Sequence, residues 1–175
     1  MSTNPGQVSP LAGITRYITT HNPSGQAIIH SEQPTDIKTH EQLMQKNALG
    51  LVNPGGTVCR FVDFGPGGEP FMHRTQSLDY GIVLQGEIEM ILDSGEKRML
   101  KPGDIAVQRG TKHAWRNPSE VEWSRMVFIL QDIQPIVIGG LCLGRISVGR
   151  GRSSLVKVID RCVMSFSRYN LRYST

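Results

Sequence analysis

No stretch of this sequence approaches the roughly eighteen consecutive apolar residues that a bilayer-spanning helix needs, which excludes an ordinary helical membrane protein. The opening residues, MSTNPGQVSPLAG, lack the basic segment and apolar core of a secretory leader, so the expectation is a soluble, cytoplasmic chain. Cysteine is scarce. Cys59, Cys142 and Cys162 are odd in number and irregularly spaced, which argues against a disulfide framework or a zinc ribbon and for free thiols in a reducing compartment. Internal repeats and low-complexity tracts are missing too, so a solenoid is not indicated.

A large field of one charge sign is also lacking over most of the chain. The net charge of +4 comes from the end: Arg145, Arg150, Arg152, Lys157, Arg161, Arg168 and Arg172 stand against a single acid, Asp160, and the rest carries about −2. A basic end can meet a phosphate backbone, but no nucleic-acid-binding motif accompanies it, so nucleic acid is not an expected partner.

What is abundant points to β-structure. With 175 residues the chain suits one domain, and 19 glycines and 10 prolines suit short strands joined by tight turns. Two β-prone runs flank HNPSG between residues 15 and 30, consistent with a leading hairpin, and PTDIKTHEQLMQKNALG has the spacing of one short helix ending near Gly50. From residue 56 the alternation is that of half-buried strands: Val58, Arg60, Val62 and Phe64 against Cys59, Phe61 and Asp63, then Ile88 and Met90 against Glu87 and Glu89. Gly86, DSG at 93–95 and KPGD at 101–104 interrupt the runs as turns. Six or seven antiparallel strands of this kind make an all-β jelly roll or small barrel. The expected organisation is an N-terminal arm over 1–49, a barrel over 50–138 and a basic tail over 139–175. That tail either belongs to the protein or results from reading into sequence that is not normally coding; an intact mass from the native source, ending near residue 145 to 155 in the second case, separates the two. Within it, SLVKVIDRCVMSF can form a strand or a helix.

The chemistry-bearing stretch is HRTQSLDYG at 73–81. On a strand His73 and Thr75 share a face, Asp79 follows after a three-residue gap, and His113 opens HAWRN further on. Two histidines and a carboxylate converging in a barrel can hold a divalent metal and leave positions open for substrate or dioxygen. Without a metal, His113 or His73 would serve as a base, with Asp79 orienting the ring. Trp115 shares parity with His113, so it either lines the cavity against an aromatic substrate or packs in the core. Gln85 is a further candidate for the pocket, whereas Tyr80 falls on the opposite face from Asp79. Arg74 and Arg116 alternate outward, toward acids such as Glu87 or Glu120. His21, His30 and His40 lie outside this constellation and are read as surface or structural residues.

These residues resemble the cupins. The first cupin motif, G(X)5HXH(X)3,4E(X)6G, is similar to Gly67 or Gly68 followed by His73, Thr75, Asp79 and Gly86. The second, G(X)5PXG(X)2H(X)3N, is similar to Gly103, Gln108, Gly110, His113 and Asn117, with one residue fewer after Gly103 and glutamine in place of proline. The resemblance implies a double-stranded β-helix. NPGGTVCRFVDFGPG, MHRTQSLDYG and VQRGTKHAWRNPSE further resemble the small cupin oxidoreductases encoded beside fungal polyketide synthases, including those of salicylaldehyde-type clusters. This implies a tailoring role on a small hydrophobic or aromatic polyketide-derived molecule. It implies a divalent metal such as Fe(II) on His73, Asp79 and His113, with Thr75, in the second histidine's place, bonded to a metal-bound water. No nucleotide cofactor is signalled. Pairing as a homodimer through N-terminal strands is implied as well. The alternatives are a metal-independent isomerase or dehydratase, and a cupin that binds a small molecule without catalysis.

Overall fold

A computed structural model describes residues 9–34, 52, 54–143 and 158–167, the last segment as backbone. The short helix expected before Gly50 lies outside the described residues. Twelve strands are present among those described: β1 (Thr15–His21), β2 (Ala27–Pro34), β3 (Gly56–Phe64), β4 (Ser77–Gln85), β5 (Ile88–Leu92), β6 (Lys97–Leu100), β7 (Ile105–Arg109), β8 (His113–Arg116), β9 (Ser124–Asp132), β10 (Ile136–Ile138), β11 (Leu141–Leu143) and β12 (Val158–Ser167). No described segment is a helix long and apolar enough to cross a membrane.

The strands form two facing sheets and two separate hairpins. A five-stranded sheet runs β12-β3-β9-β4-β7 and a three-stranded sheet β6-β5-β8, while β1-β2 and β10-β11 pair only with each other. Every pairing is antiparallel. The result is an all-β cupin-type jelly roll, and β3 to β9 supply the seven strands that the turn spacing over 56–132 leads one to expect. β12, in the basic C-terminal segment, takes the edge place beside β3, from Val158 opposite Phe64 to Ser167 opposite Gly56.

Alternation decides which side chains enter the core. Val62 and Phe64 of β3, Val83 of β4 and Met126 of β9 meet Ile88, Leu100 and Trp115 of the smaller sheet, and all are buried. Removing each such side chain from water contributes about 1.5–3 kcal/mol. Two glycines are required by close approach. At Gly81 a Cβ would press on Phe128 Cε1 and Met126 Cε, so its absence lets the Phe128 ring lie over β4. Gly86 turns the chain from β4 to β5 with φ of +69°, and a Cβ there would collide with Ser124.

At one end the sheets are joined by the two histidines of the motifs. His73 N–H donates to the His113 carbonyl and His113 N–H to the His73 carbonyl, both at 2.9 Å. This isolated antiparallel bridge ties the segment leading into β4 to the start of β8. The backbone that closes this end of the barrel therefore also brings the histidine side chains together.

Candidate functional site

In an antiparallel pair that exchanges both backbone hydrogen bonds, the two side chains leave the same face side by side. The imidazoles of His73 and His113 accordingly lie 4.7 Å apart between ring centroids. The Nδ1 atom of each is fixed by a carbonyl two residues upstream, His73 by Phe71 and His113 by Thr111, both at 3.0 Å. A carbonyl can only accept, so Nδ1 carries a proton in both rings, and in the neutral imidazole Nε2 is left as the lone-pair nitrogen. That is the tautomer a metal ligand or a general base needs.

Burial shapes the charges. His113 is 2% exposed, and its pKa is pushed down to about 4, chiefly by desolvation and further by the neighbouring His73. It is therefore neutral at pH 7. Asp79 moves up from the usual carboxylate range because it is buried, against the pull of Ser77, Thr75 and His73. Thr75 Oγ–H donates to Asp79 Oδ2 at 3.0 Å, and Ser77 Oγ–H donates to Thr75 Oγ at 2.7 Å. Asp79 Oδ1 is buried and has no hydrogen-bond partner.

Trp115 is buried and meets His113 edge-on, with centroids 5.4 Å apart, and lies 5.6 Å from Phe128. Phe71, exposed, stacks nearly parallel on His73 at 5.8 Å. The histidine pair is thus flanked by two aromatic rings, Trp115 inside and the exposed Phe71, with Phe128 behind Trp115.

The structure brings together His73, His113 and Trp115, and places Thr75 and Asp79 on the same inward side of the β4 approach. Among the described residues no group of three or more His, Cys, Asp or Glu is arranged to hold a metal. Thr75, a hydroxyl in the second histidine's place, donates to the Asp79 carboxylate. The two Nε2 atoms and the unpartnered Oδ1 of Asp79 still suit a divalent ion in kind, two neutral nitrogens and one carboxylate oxygen.

Gln85 differs from expectation. It is exposed, because the pairing of β4 with β9 shifts between Val83 and Gln85 and breaks the alternation before it. Tyr80 faces outward. Arg116 pairs with Glu89 at 2.7 Å, its opposite number in the β5-β8 ladder, and not with Glu87 or Glu120. Asn117 donates to the carbonyls of Phe64 and Glu122, a loop-fixing role. Ser77 and Phe128 are residues the sequence reading passes over. Ser77 has a signal, since it shares parity with Thr75 and Asp79, whereas Phe128 enters the site only through the β4-β9 register.

Residues 60–129 match the cupin domain family. Over 75% of this chain and 89% of its own length, oryzines biosynthesis cluster protein J of Aspergillus oryzae is 36% identical. The chain belongs to the cupin family. Among other cupins, the cupin-domain-containing oxidoreductase virC of Hypocrea virens is 36% identical over 79% of this chain and 89% of that protein. Phomopsin biosynthesis cluster protein D of Diaporthe leptostromiformis is 49% identical over 75% of this chain, which spans 66% of that protein.

Proposed function

We propose that this cupin is an oxidoreductase that tailors a small, hydrophobic, polyketide-derived molecule in fungal secondary metabolism. The observation that carries the reading is the His73–His113 pair, with both Nδ1 atoms bonded to backbone carbonyls and both Nε2 atoms left for chemistry. Relatives named as biosynthesis-cluster proteins and cupin-domain-containing oxidoreductases support it.

A flat substrate enters past Phe71 and lies against Trp115 and Phe128, which exclude water from the histidine side. His113, uncharged at neutral pH, accepts a proton at Nε2 or donates a lone pair there. Thr75 and Ser77 hold one oxygen of Asp79 and leave the other directed by the fold. A divalent ion such as Fe(II), held by His73 and His113 with Asp79 as its carboxylate, would supply Lewis-acid or one-electron chemistry.

The second reading is metal-independent proton transfer beside a carbonyl, as in an isomerase or dehydratase. The engagement of Asp79 by Thr75, together with the neutral His113, favours it. Anaerobic reconstitution with Fe(II) followed by elemental analysis separates the two. The first reading expects about one equivalent of iron, lost in both His73→Ala and His113→Ala; less than about a tenth of an equivalent in the native protein sinks it.

A further inference from the structure

Gln108 stands where the second cupin motif has proline, and it points into the barrel. Its neighbours Val107 and Arg109 face outward, and it lies directly opposite Asp79 in the β4-β7 ladder with 4% of its surface exposed. A buried amide brings two donor hydrogens and an acceptor oxygen into the interior, each costly unless paired.

The pairing found is unequal. The Oε1 atom accepts from the Thr111 hydroxyl. Nε2, by contrast, donates to the thioether sulfur of Met90 at 2.9 Å, and a thioether is a weak acceptor. Thr111 does a second thing: its carbonyl accepts from Nδ1 of His113. One residue therefore holds the amide and the imidazole in a common frame. Met90 in turn lies opposite Trp115 in the β5-β8 ladder, and Trp115 meets His113. Gln108 Nε2, Met90, Trp115 and His113 are successive neighbours, and the flexible Met90 is the one most easily displaced.

We infer that Gln108 is a specificity-determining residue, whose amide Nε2–H binds a carbonyl or hydroxyl oxygen of an aromatic molecule lying against Trp115, with that oxygen displacing the Met90 sulfur. This rests on the reading of the barrel interior as the substrate site. It narrows the substrate to an aromatic ring bearing an oxygen substituent. A site that hydrogen-bonds such an oxygen rejects the analogue lacking it, because the buried donor is then left without a good partner.

The test uses two ligands of nearly equal shape, acetophenone and isopropylbenzene, titrated into the ¹⁵N-labelled protein. The Trp115 indole reports occupancy of the barrel, and the Gln108 side-chain amide reports the hydrogen bond. Acetophenone is expected to bind about tenfold more tightly than isopropylbenzene and to move the Gln108 amide, which isopropylbenzene leaves in place. Gln108→Met should abolish the preference while both ligands still move Trp115, and Thr111→Val should reduce it. If both ligands move Trp115 with equal affinity and the Gln108 amide stays still in the native protein, the inference is overturned while the site reading stands. If neither moves Trp115, the site reading fails and takes this inference with it. The amide readout comes from the native chain, so the result does not depend on a variant folding.

Discussion

His113 and Asp79 are both buried, and desolvation acts on them with opposite sign. His113 has a folded pKa of about 4, against roughly 6.5 in an unfolded chain. Between those values the unfolded chain binds a proton that the folded chain refuses. The His113 contribution to stability is therefore fully present above about pH 6.5 and is lost as the pH falls toward 4. Asp79 has a raised folded pKa, so its effect runs the other way: it favours the fold in acid and fades as the pH rises through its folded value. The two effects oppose each other wherever their titration ranges overlap. Thermal melts between pH 7 and 4.5 should show a loss on the order of 2 kcal/mol through His113, offset in part by Asp79. His113→Gln should have a visibly flatter profile, and parallel profiles would contradict this account.

At the scale of the element, the turn between β4 and β5 is where local backbone and long-range packing meet. Gly86 adopts a positive φ, and the same residue is pressed against Ser124 at the start of β9, whose hydroxyl donates to the Glu87 carbonyl at 2.9 Å. Gly86→Ala adds left-handed strain of about 1 kcal/mol or more to a collision that includes Ser124 backbone. Urea unfolding should show a loss of about 2–3 kcal/mol. Alanine at Gly95, whose φ is also positive but whose surroundings are open, should cost about 1 kcal/mol, the strain alone. The same turn accounts for Gln85: the shift in the β4-β9 register just before it ends the inward alternation and sends that side chain to solvent.

Across the whole molecule, one buried ion pair joins distant parts of the chain. Arg125 of β9 donates through Nε and Nη2 to both oxygens of Asp63 on β3, and through Nη1 to the carbonyl of Ala12 at 2.8 Å. The N-terminal arm is thereby attached to the five-stranded sheet. Asp63→Ala leaves the arginine buried without its counter-ion and should destabilise the fold by about 3–5 kcal/mol. Amide exchange should show residues 12–16 losing protection together with β3; loss confined to β3 would mean the arm is held by other contacts.

Much of this was readable in the linear chain, because strand alternation and turn residues are properties of neighbouring positions. Val58 to Phe64 display their inward face at period two, and Gly86, Gly95 and Gly103 mark turns whatever lies around them. The spacing of His73, Asp79, Gly86 and His113 was legible as a family pattern for the same reason. What only the tertiary structure decided lies between residues far apart in sequence. The exchange of backbone hydrogen bonds between His73 and His113 brings the two rings together. Thr75 donates to one oxygen of Asp79, and Thr111 bonds both Gln108 and His113. Periodicity assigns a residue to a face of its strand. It does not say which residue of another strand stands opposite, and at this barrel end that register determines the chemistry.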